Sequence, residues 1–143
     1  MLTGLQKFSG KAIRQRASSP KLLVMDTALM TARSRLTLEE TRKDGDLWGR
    51  LVESAAGAHL FNSTAGTSVN VFYWREGAKE VDFIIQKGKS VTALEVKSGR
   101  KRESLSGIKA FSEAFRPQRT ILVGEGGIPL ERFFLSPVSE WVG

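Results

Sequence analysis

Two acidic residues and one lysine occupy neighbouring predicted strands in the middle of the sequence. The strands cover residues 80–86 and 91–97, and Asp82, Glu95 and Lys97 are polar positions within runs rich in β-forming residues. Carboxylate oxygens are the ligands that Mg²⁺ prefers, and a nearby lysine can reach a water molecule or a phosphate oxygen beside the ion. These residue types therefore indicate metal-assisted chemistry on a phosphate group.

The residues between the two strands predict how the strands pair. Residues 87–90, with the sequence Lys-Gly-Lys-Ser, are typical of a tight hairpin turn. In a two-residue loop, Gly88 supplies the positive φ that a type II′ turn requires at its first position. The expected pairs are then 87 with 90, 85 with 92, 82 with 95 and 80 with 97. Asp82 is thus predicted to lie directly across from Glu95.

Because side chains alternate along a strand, this register assigns each residue of the hairpin to one of two faces. The predicted apolar face consists of Val81, Phe83, Ile85, Leu94 and Val96, and the predicted charged face of Glu80, Asp82, Glu95 and Lys97. Facing carboxylates destabilise a sheet, so this pair indicates a cation between them. The alternative is a solvated surface on which Glu80 and Lys97 form an ordinary ion pair. Both interpretations follow from the spacing alone.

A third acid lies on a predicted helix that begins at an Asp46 N-cap and runs to about residue 62. Glu53 lies at the edge of its apolar stripe, with Gly49 one turn before it and Gly57 one turn after it. A glycine inside a helix costs about 1 kcal/mol relative to alanine, so two of them predict a close approach. We expect the sheet there, with Glu53 directed at its charged face. The alternative is a surface glutamate beside packing glycines.

Composition limits the class of protein. The 143 residues fit one domain of ordinary size, and the absence of cysteine excludes disulfides and thiolate metal sites. No apolar run approaches the ~18 residues of a membrane span, and the N-terminus lacks a signal-peptide core. We therefore expect a cytoplasmic protein that does not enter a membrane. The single histidine, His59, is predicted to be packed rather than a ligand.

The positive charge is unevenly distributed along the chain. The net charge is +7, of which residues 1–43 contribute +6 from nine basic and three acidic residues. A polar segment at 33–45 is predicted to be a linker or mobile loop, which divides the chain into a basic N-terminal extension, 1–44, and a chemical domain, 45–143. The basic extension suits a nucleic-acid backbone, although a scattered basic surface is the commoner explanation.

From residue 46 to residue 123 the predicted order is helix, strand, strand, strand, helix, strand. With Asp82, twelve intervening residues, and then Glu95-Val96-Lys97, this order resembles the PD-(D/E)xK, or restriction-endonuclease-like, nuclease superfamily. Glu53 matches the helical acid of many members, whereas Val81 replaces the proline of the superfamily's name. The resemblance implies an α/β fold with an αβββαβ core, in which helices flank a central mixed sheet.

The resemblance also implies roles for individual residues. Asp82, Glu95 and the backbone carbonyl of Val96 would hold Mg²⁺ or Mn²⁺, and Glu53 would bind a second metal ion or a bridging water. Lys97 would orient the attacking water and stabilise charge in the transition state. The basic residues that follow Lys97 would contact the phosphate backbone of a nucleic acid; they are Arg100, Lys101 and Arg102.

A closer resemblance covers nearly the whole chain. Its blocks are Ser19-Pro20-Lys21, Met25–Leu29, Leu47–Glu53, Tyr73–Glu76, Glu80–Phe83 and Glu95–Gly99. Together they resemble the domain of unknown function at the C-terminus of many bacterial and archaeal AAA-type ATPases. Such ATPases carry a phosphate-binding loop and a winged-helix segment upstream, and neither occurs in these 143 residues, so we expect the C-terminal part alone. A non-catalytic module is the alternative, docking on an ATPase, a toxin–antitoxin partner or nucleic acid.

Overall fold

The computed structural model describes residues 2–10, 18–99 and 105–142. The strands are β1 (Leu2–Leu5), β2 (Lys21–Val24), β3 (Val69–Glu76), β4 (Lys79–Lys87), β5 (Ser90–Lys97) and β6 (Arg119–Gly124). The helices are α1 (Thr27–Ser34), α2 (Leu38–Lys43), α3 (Gly45–Thr64), α4 (Ser106–Phe115) and α5 (Leu130–Leu135), followed by a 3₁₀ turn at Val138–Glu140.

The central sheet has four strands in the order β3-β4-β5-β6. β3, β4 and β5 form an antiparallel meander, and β6 pairs parallel to β5 after the α4 crossover. Helix α3 covers one face of the sheet and helix α4 covers the other, each through its apolar stripe. The predicted mixed α/β architecture, with helices on both faces of a mixed sheet, is confirmed.

The β4–β5 hairpin has the predicted loop. Gly88 has a φ of 58°, and Lys87 pairs with Ser90 across a two-residue turn. The register continues as predicted through residues 85 and 92, but the ladder ends at Phe83 and Leu94. The predicted pairs 82–95 and 80–97 are therefore not ladder pairs. The two strands separate just where the acidic residues begin.

An irregularity in the β3–β4 ladder corrects the predicted faces of the sheet. Phe72 pairs with Ile84 but Trp74 pairs with Val81, so two residues of β4 oppose one residue of β3. The extra residue interrupts the alternation of side chains in β4. Residues on one side of the bulge therefore face the opposite side of the sheet from the one that a regular strand would give them. Val81 consequently packs with Ile84 beneath α4, whereas Phe83 packs beneath α3. The prediction of one apolar face from Val81 to Val96 is wrong at Val81.

The N-terminal strands pack onto the same core as the sheet. β1 and β2 form an antiparallel pair, and Leu5 and Leu23 are buried in the cluster beneath α3. The chain after β1 runs along β3, where the N–H of Phe8 donates to the carbonyl of Tyr73 at 2.6 Å. The division of the chain at residue 44 stays a prediction.

The segment predicted as a loop at 33–45 contains helix α2, so that prediction is wrong. Thr37 caps the helix by accepting from the N–H of Glu40, whose side chain accepts from the N–H of Thr37. This reciprocal pair is a capping box, and it stabilises a short helix that has little apolar surface. The N-cap of α3 is Asp44 rather than the predicted Asp46, because the Asp44 side chain accepts from the N–H groups of residues 46 and 47.

The C-terminal segment completes the α3 side of the core. Phe133, Val138 and Trp141 are buried there. His59 contacts the ring of Phe133, and its Nε2 lies 3.2 Å from the carbonyl oxygen of Ser136. The prediction of a packed histidine is confirmed. Among the described residues, no helix combines the length and apolar character that crossing a bilayer requires.

Candidate active site

An open cavity of about 420 Å³ lies where β4 and β5 separate, between helix α3 and the first turn of α4. Every described residue that the sequence singled out for chemistry lines it: Glu53, Asp82, Glu95, Val96 and Lys97. The other lining residues are Gly49, Ala78, Glu80, Ser98, Ser106 and Gly107. The fold therefore brings the helical acid, the strand acids and the lysine together around one space.

Asp82 lies in the bulged part of β4, where it keeps some surface open to the cavity although protein surrounds it. One of its oxygens, Oδ2, accepts a hydrogen bond of 2.9 Å from the N–H of Val96. Burial raises the pKa of Asp82 well above its usual range, and the charges of Glu95 and Glu53 raise it further. The site thus concentrates negative charge that the protein groups around Asp82 only partly offset.

Glu95 and Lys97 lie two residues apart on β5 and both face the cavity. Lys97 Nζ donates to Glu95 Oε1 at 3.2 Å, and the two side chains are 11% and 13% exposed. The Glu95 carboxylate is therefore paired with the ammonium group of Lys97, and its charge also acts on Asp82. The predicted role of the Val96 carbonyl stays a prediction, whereas the Val96 N–H has an observed one, in orienting Asp82.

The acids also contact a lysine that the sequence analysis did not select. Lys21 Nζ of β2 lies 2.5 Å from Glu53 Oε1 and 2.6 Å from Glu80 Oε1. Burial opposes the charge of Lys21, but the attraction of Glu53 and the hydrogen bonds to both glutamates outweigh it and raise the pKa of Lys21. The prediction that Glu53 approaches the sheet is confirmed. The ammonium group of Lys21 bridges the carboxylate of Glu53 and that of Glu80 on β4.

Glu80 is held by two cations. Its Oε1 accepts from Lys21, and its Oε2 accepts from the guanidinium of Arg75 on the neighbouring strand. Burial opposes ionisation of Glu80, but these hydrogen bonds outweigh it and lower its pKa. The alternative of an ion pair between Glu80 and Lys97 is wrong, since Lys97 contacts Glu95 instead. Both Lys21 and Arg75 lie in the sequence blocks of the closer resemblance. Membership of those blocks was the sequence feature that could have identified them.

The donor set fits a hard divalent cation. Asp82 and Glu95 line one cavity, and carboxylate oxygens of Glu53 and Glu80, both bonded to Lys21, lie within 4.8 Å of an oxygen of Asp82. Mg²⁺ and Mn²⁺ favour such oxygens and keep open positions for water and phosphate. The opening of the cavity leaves room for both.

The predicted nucleic-acid contacts Arg100, Lys101 and Arg102 lie outside the described residues. The described residues on either side, Ser98 and Ser106, both line the cavity.

Residues 48–141 match DUF4143, a domain of unknown function. The chain belongs to the DUF4143 family. Neither a curated protein nor a solved structure matches it. The DUF4143 region contains Glu53, Asp82, Glu95 and Lys97, whereas Lys21 precedes it by many residues.

Proposed function

We propose that this chain is a cytoplasmic, Mg²⁺- or Mn²⁺-dependent phosphodiesterase that hydrolyses the backbone of a nucleic acid. In this proposal the DUF4143 region has the restriction-endonuclease-like core of the PD-(D/E)xK superfamily and is the C-terminal module of an AAA-type ATPase. The observation that carries the proposal is the convergence of Asp82, Glu95 and Lys97 on one open cavity.

Each residue would have a distinct role. Asp82 and Glu95, with the carbonyl of Val96, would hold the ion, which supplies Lewis acidity and lowers the pKa of a bound water. The N–H of Val96 fixes the orientation of Asp82. Lys97 Nζ would donate to the attacking water or to a phosphate oxygen, and Glu53 would orient a bridging water.

Charge supports a nucleic acid as the partner. The chain carries a net charge of +7, and the basic residues Arg100–Arg102 follow the cavity residue Ser98 after one intervening glycine. A cavity with several carboxylates repels phosphate unless cations accompany it. A divalent ion, together with the basic residues that follow Ser98, would reduce that repulsion. The proposed ion and the proposed substrate therefore depend on each other.

Nuclease assays test the proposal. Supercoiled plasmid, single-stranded DNA and RNA are each incubated with the protein and Mg²⁺ or Mn²⁺. We expect Asp82→Ala to abolish cleavage and Lys97→Ala to lower turnover by about a hundredfold or more, as expected for removal of a charge-stabilising donor. Lys89→Ala, in the exposed hairpin turn, is the matched control. Equal cleavage by the wild type and Asp82→Ala would contradict the proposed phosphodiesterase activity.

A non-catalytic module is the second candidate, and the contacts of Lys21 favour it. Lys21 already neutralises part of the charge on Glu53 and Glu80, so these two acids need no metal ion to be stable. Calorimetric titration with Mn²⁺ separates the two candidates. A module without a functional site would show no binding that depends on Asp82 and Glu95, whereas the phosphodiesterase requires it.

A further inference from the structure

The space between Glu53 and Glu80 already contains a cation. Lys21 Nζ makes charge-assisted hydrogen bonds to one oxygen of each glutamate, at 2.5 Å and 2.6 Å. Oxygens of these two glutamates and of Asp82 also lie within 4.8 Å of one another. An ammonium group therefore lies within the part of the site where a second divalent ion would otherwise be attracted.

The fold fixes Lys21 in this place from both sides. Two residues before it, the carbonyl of Ser19 accepts a hydrogen bond of 2.7 Å from the hydroxyl of the buried Tyr73. Two residues after it, the buried side chain of Leu23 packs against Gly57, one helical turn beyond Glu53. A lysine held by its neighbours loses little further freedom when it binds, whereas a free ion must first lose its water shell.

The charges around the cavity also favour one divalent ion over two. Among the described residues at the cavity, four carboxylates, those of Glu53, Glu80, Asp82 and Glu95, contact or lie beside three cationic groups, those of Lys21, Lys97 and Arg75. With every carboxylate ionised, as metal binding requires, the balance of these described groups is one negative charge. One divalent ion changes it to one positive charge, whereas two would give three positive charges in a partly buried space, which is costly.

We propose that Lys21 takes the place of a second metal ion, so that the site binds a single divalent cation at Asp82 and Glu95. This inference rests on the proposed metal-dependent function, and it assigns Glu53 and Glu80 to Lys21 rather than to a metal. It also gives β2, which lies outside the DUF4143 match, a direct part in the site. Lys21 is then a positioning residue that holds both glutamates and excludes a further ion.

The test counts bound Mn²⁺ per chain, by electron paramagnetic resonance of the free ion and by calorimetry, on the full chain. We expect one Mn²⁺ in the wild type and two in Lys21→Met, which keeps the stem of the side chain but removes its charge. Lys21→Arg retains the charge and should bind one, as should the surface control Lys89→Met. One ion in Lys21→Met, or two in the wild type, would overturn the role of Lys21 while leaving the proposed function standing.

A second variant keeps the inference testable if Lys21→Met does not fold, as checked by circular dichroism. Glu80→Gln removes one acid but leaves Lys21 bonded to Glu53. We expect it to bind one Mn²⁺ with an affinity within about threefold of the wild type. A loss of about tenfold or more would make Glu80 a metal ligand and overturn the inference. A wild type that binds no Mn²⁺ through Asp82 would instead contradict the proposed function itself.

Discussion

Asp82 is the residue at which stability and the proposed chemistry conflict. Burial and the charges of Glu95 and Glu53 raise the pKa of Asp82, which means that the ionised form is disfavoured in the folded protein. A divalent ion requires that same ionised form. Groups arranged in this way commonly reduce stability in the absence of their ligand, as active-site residues often do.

Asp82→Asn should therefore stabilise the metal-free protein while removing metal binding. The amide oxygen can still accept from the N–H of Val96, and the repulsion from Glu95 and Glu53 is lost. We expect the free energy of unfolding at neutral pH to rise by about 0.5–2 kcal/mol, or a few degrees in melting temperature. Thermal melts in EDTA measure the change, with the exposed-acid variant Glu76→Gln as the control.

The difference in stability between the wild type and Asp82→Asn should depend on pH, and the direction of the Asp82 pKa shift determines how. Because the pKa of Asp82 is higher in the folded state than in the unfolded state, the folded state keeps the proton longer as the pH rises. The contribution of Asp82 to stability is therefore lost progressively above the unfolded pKa of about 4. We expect similar stabilities of wild type and Asp82→Asn near pH 3.5 and a gap that widens towards neutral pH. A gap that narrows as the pH rises would contradict the assignment.

At the residue scale, local patterns identified Asp82, Glu95 and Lys97 but not their partners. Alternation and turn chemistry act over a few residues, and they sufficed to predict three side chains on one hairpin. Lys21 is separated from Glu53 by 32 residues and from Glu80 by 59. Such contacts depend on how β2 packs against α3, which no local spacing encodes.

The same limit applies to the elements. The β3 strand, the hairpin turn and the amphipathic helices were predictable because each follows a period or a turn signal of its own. The bulge in β4 was not, because it is defined by pairing with β3 and leaves the apolar pattern of Val81–Ile85 looking continuous. The bulge matters for the site, since it lies at Asp82 and separates the environments of Val81 and Phe83.

Gly57 is the point at which packing between elements determines the position of Lys21. A Cβ at residue 57 would lie 2.1 Å from Cδ2 of Leu23 and 3.2 Å from Cε1 of Phe83. Alanine there gains about 1 kcal/mol of helix propensity but forces overpacking that costs about 1–3 kcal/mol. We expect Gly57→Ala to displace β2 and to lower the free energy of unfolding, measured by urea denaturation, by up to about 2 kcal/mol.

Gly49→Ala is the matched control for that prediction, since it lies on the same helix two turns earlier and lines the cavity. The nearest atom to its added Cβ would be Ser98 Oγ at 3.3 Å, a hydroxyl that can rotate away. We expect this variant to be unchanged or stabilised by up to about 1 kcal/mol. Equal destabilisation of the two variants would show that glycine matters at both positions for a reason other than the packing of Leu23.

For the molecule as a whole, the N-terminal strands raise the question of where the folding unit begins. The DUF4143 match starts at residue 48, and the sequence suggested a division at residue 44. Yet Leu5 and Leu23 are 1% and 3% exposed within the core beneath α3, and Phe8 belongs to the cluster beneath α4. The basic composition of residues 1–44 therefore predicted a separate extension, whereas its few apolar residues pack into the core.

Removal of residues 1–44 should abolish cooperative folding. Burial of a Leu or Phe side chain contributes about 1.5–3 kcal/mol, so the loss of Leu5, Phe8 and Leu23 together removes roughly 5–9 kcal/mol. That amount is comparable to the whole stability of a domain, about 5–15 kcal/mol. Circular dichroism melts and hydrogen exchange of the truncated chain measure the outcome, and a sharp melting transition near that of the full chain would support a division at residue 44.

Two neighbouring leucines of β2 provide the control within the full chain. Leu23→Ala empties a buried position and should cost about 2–5 kcal/mol, whereas Leu22, which is 69% exposed, should tolerate alanine within about 0.5 kcal/mol. If the truncated chain fails to fold and Leu23→Ala alone is strongly destabilised, core packing by β2 explains the failure. If Leu23→Ala is as stable as Leu22→Ala, β2 does not support the core, and Lys21 reaches Glu53 from an independent arm.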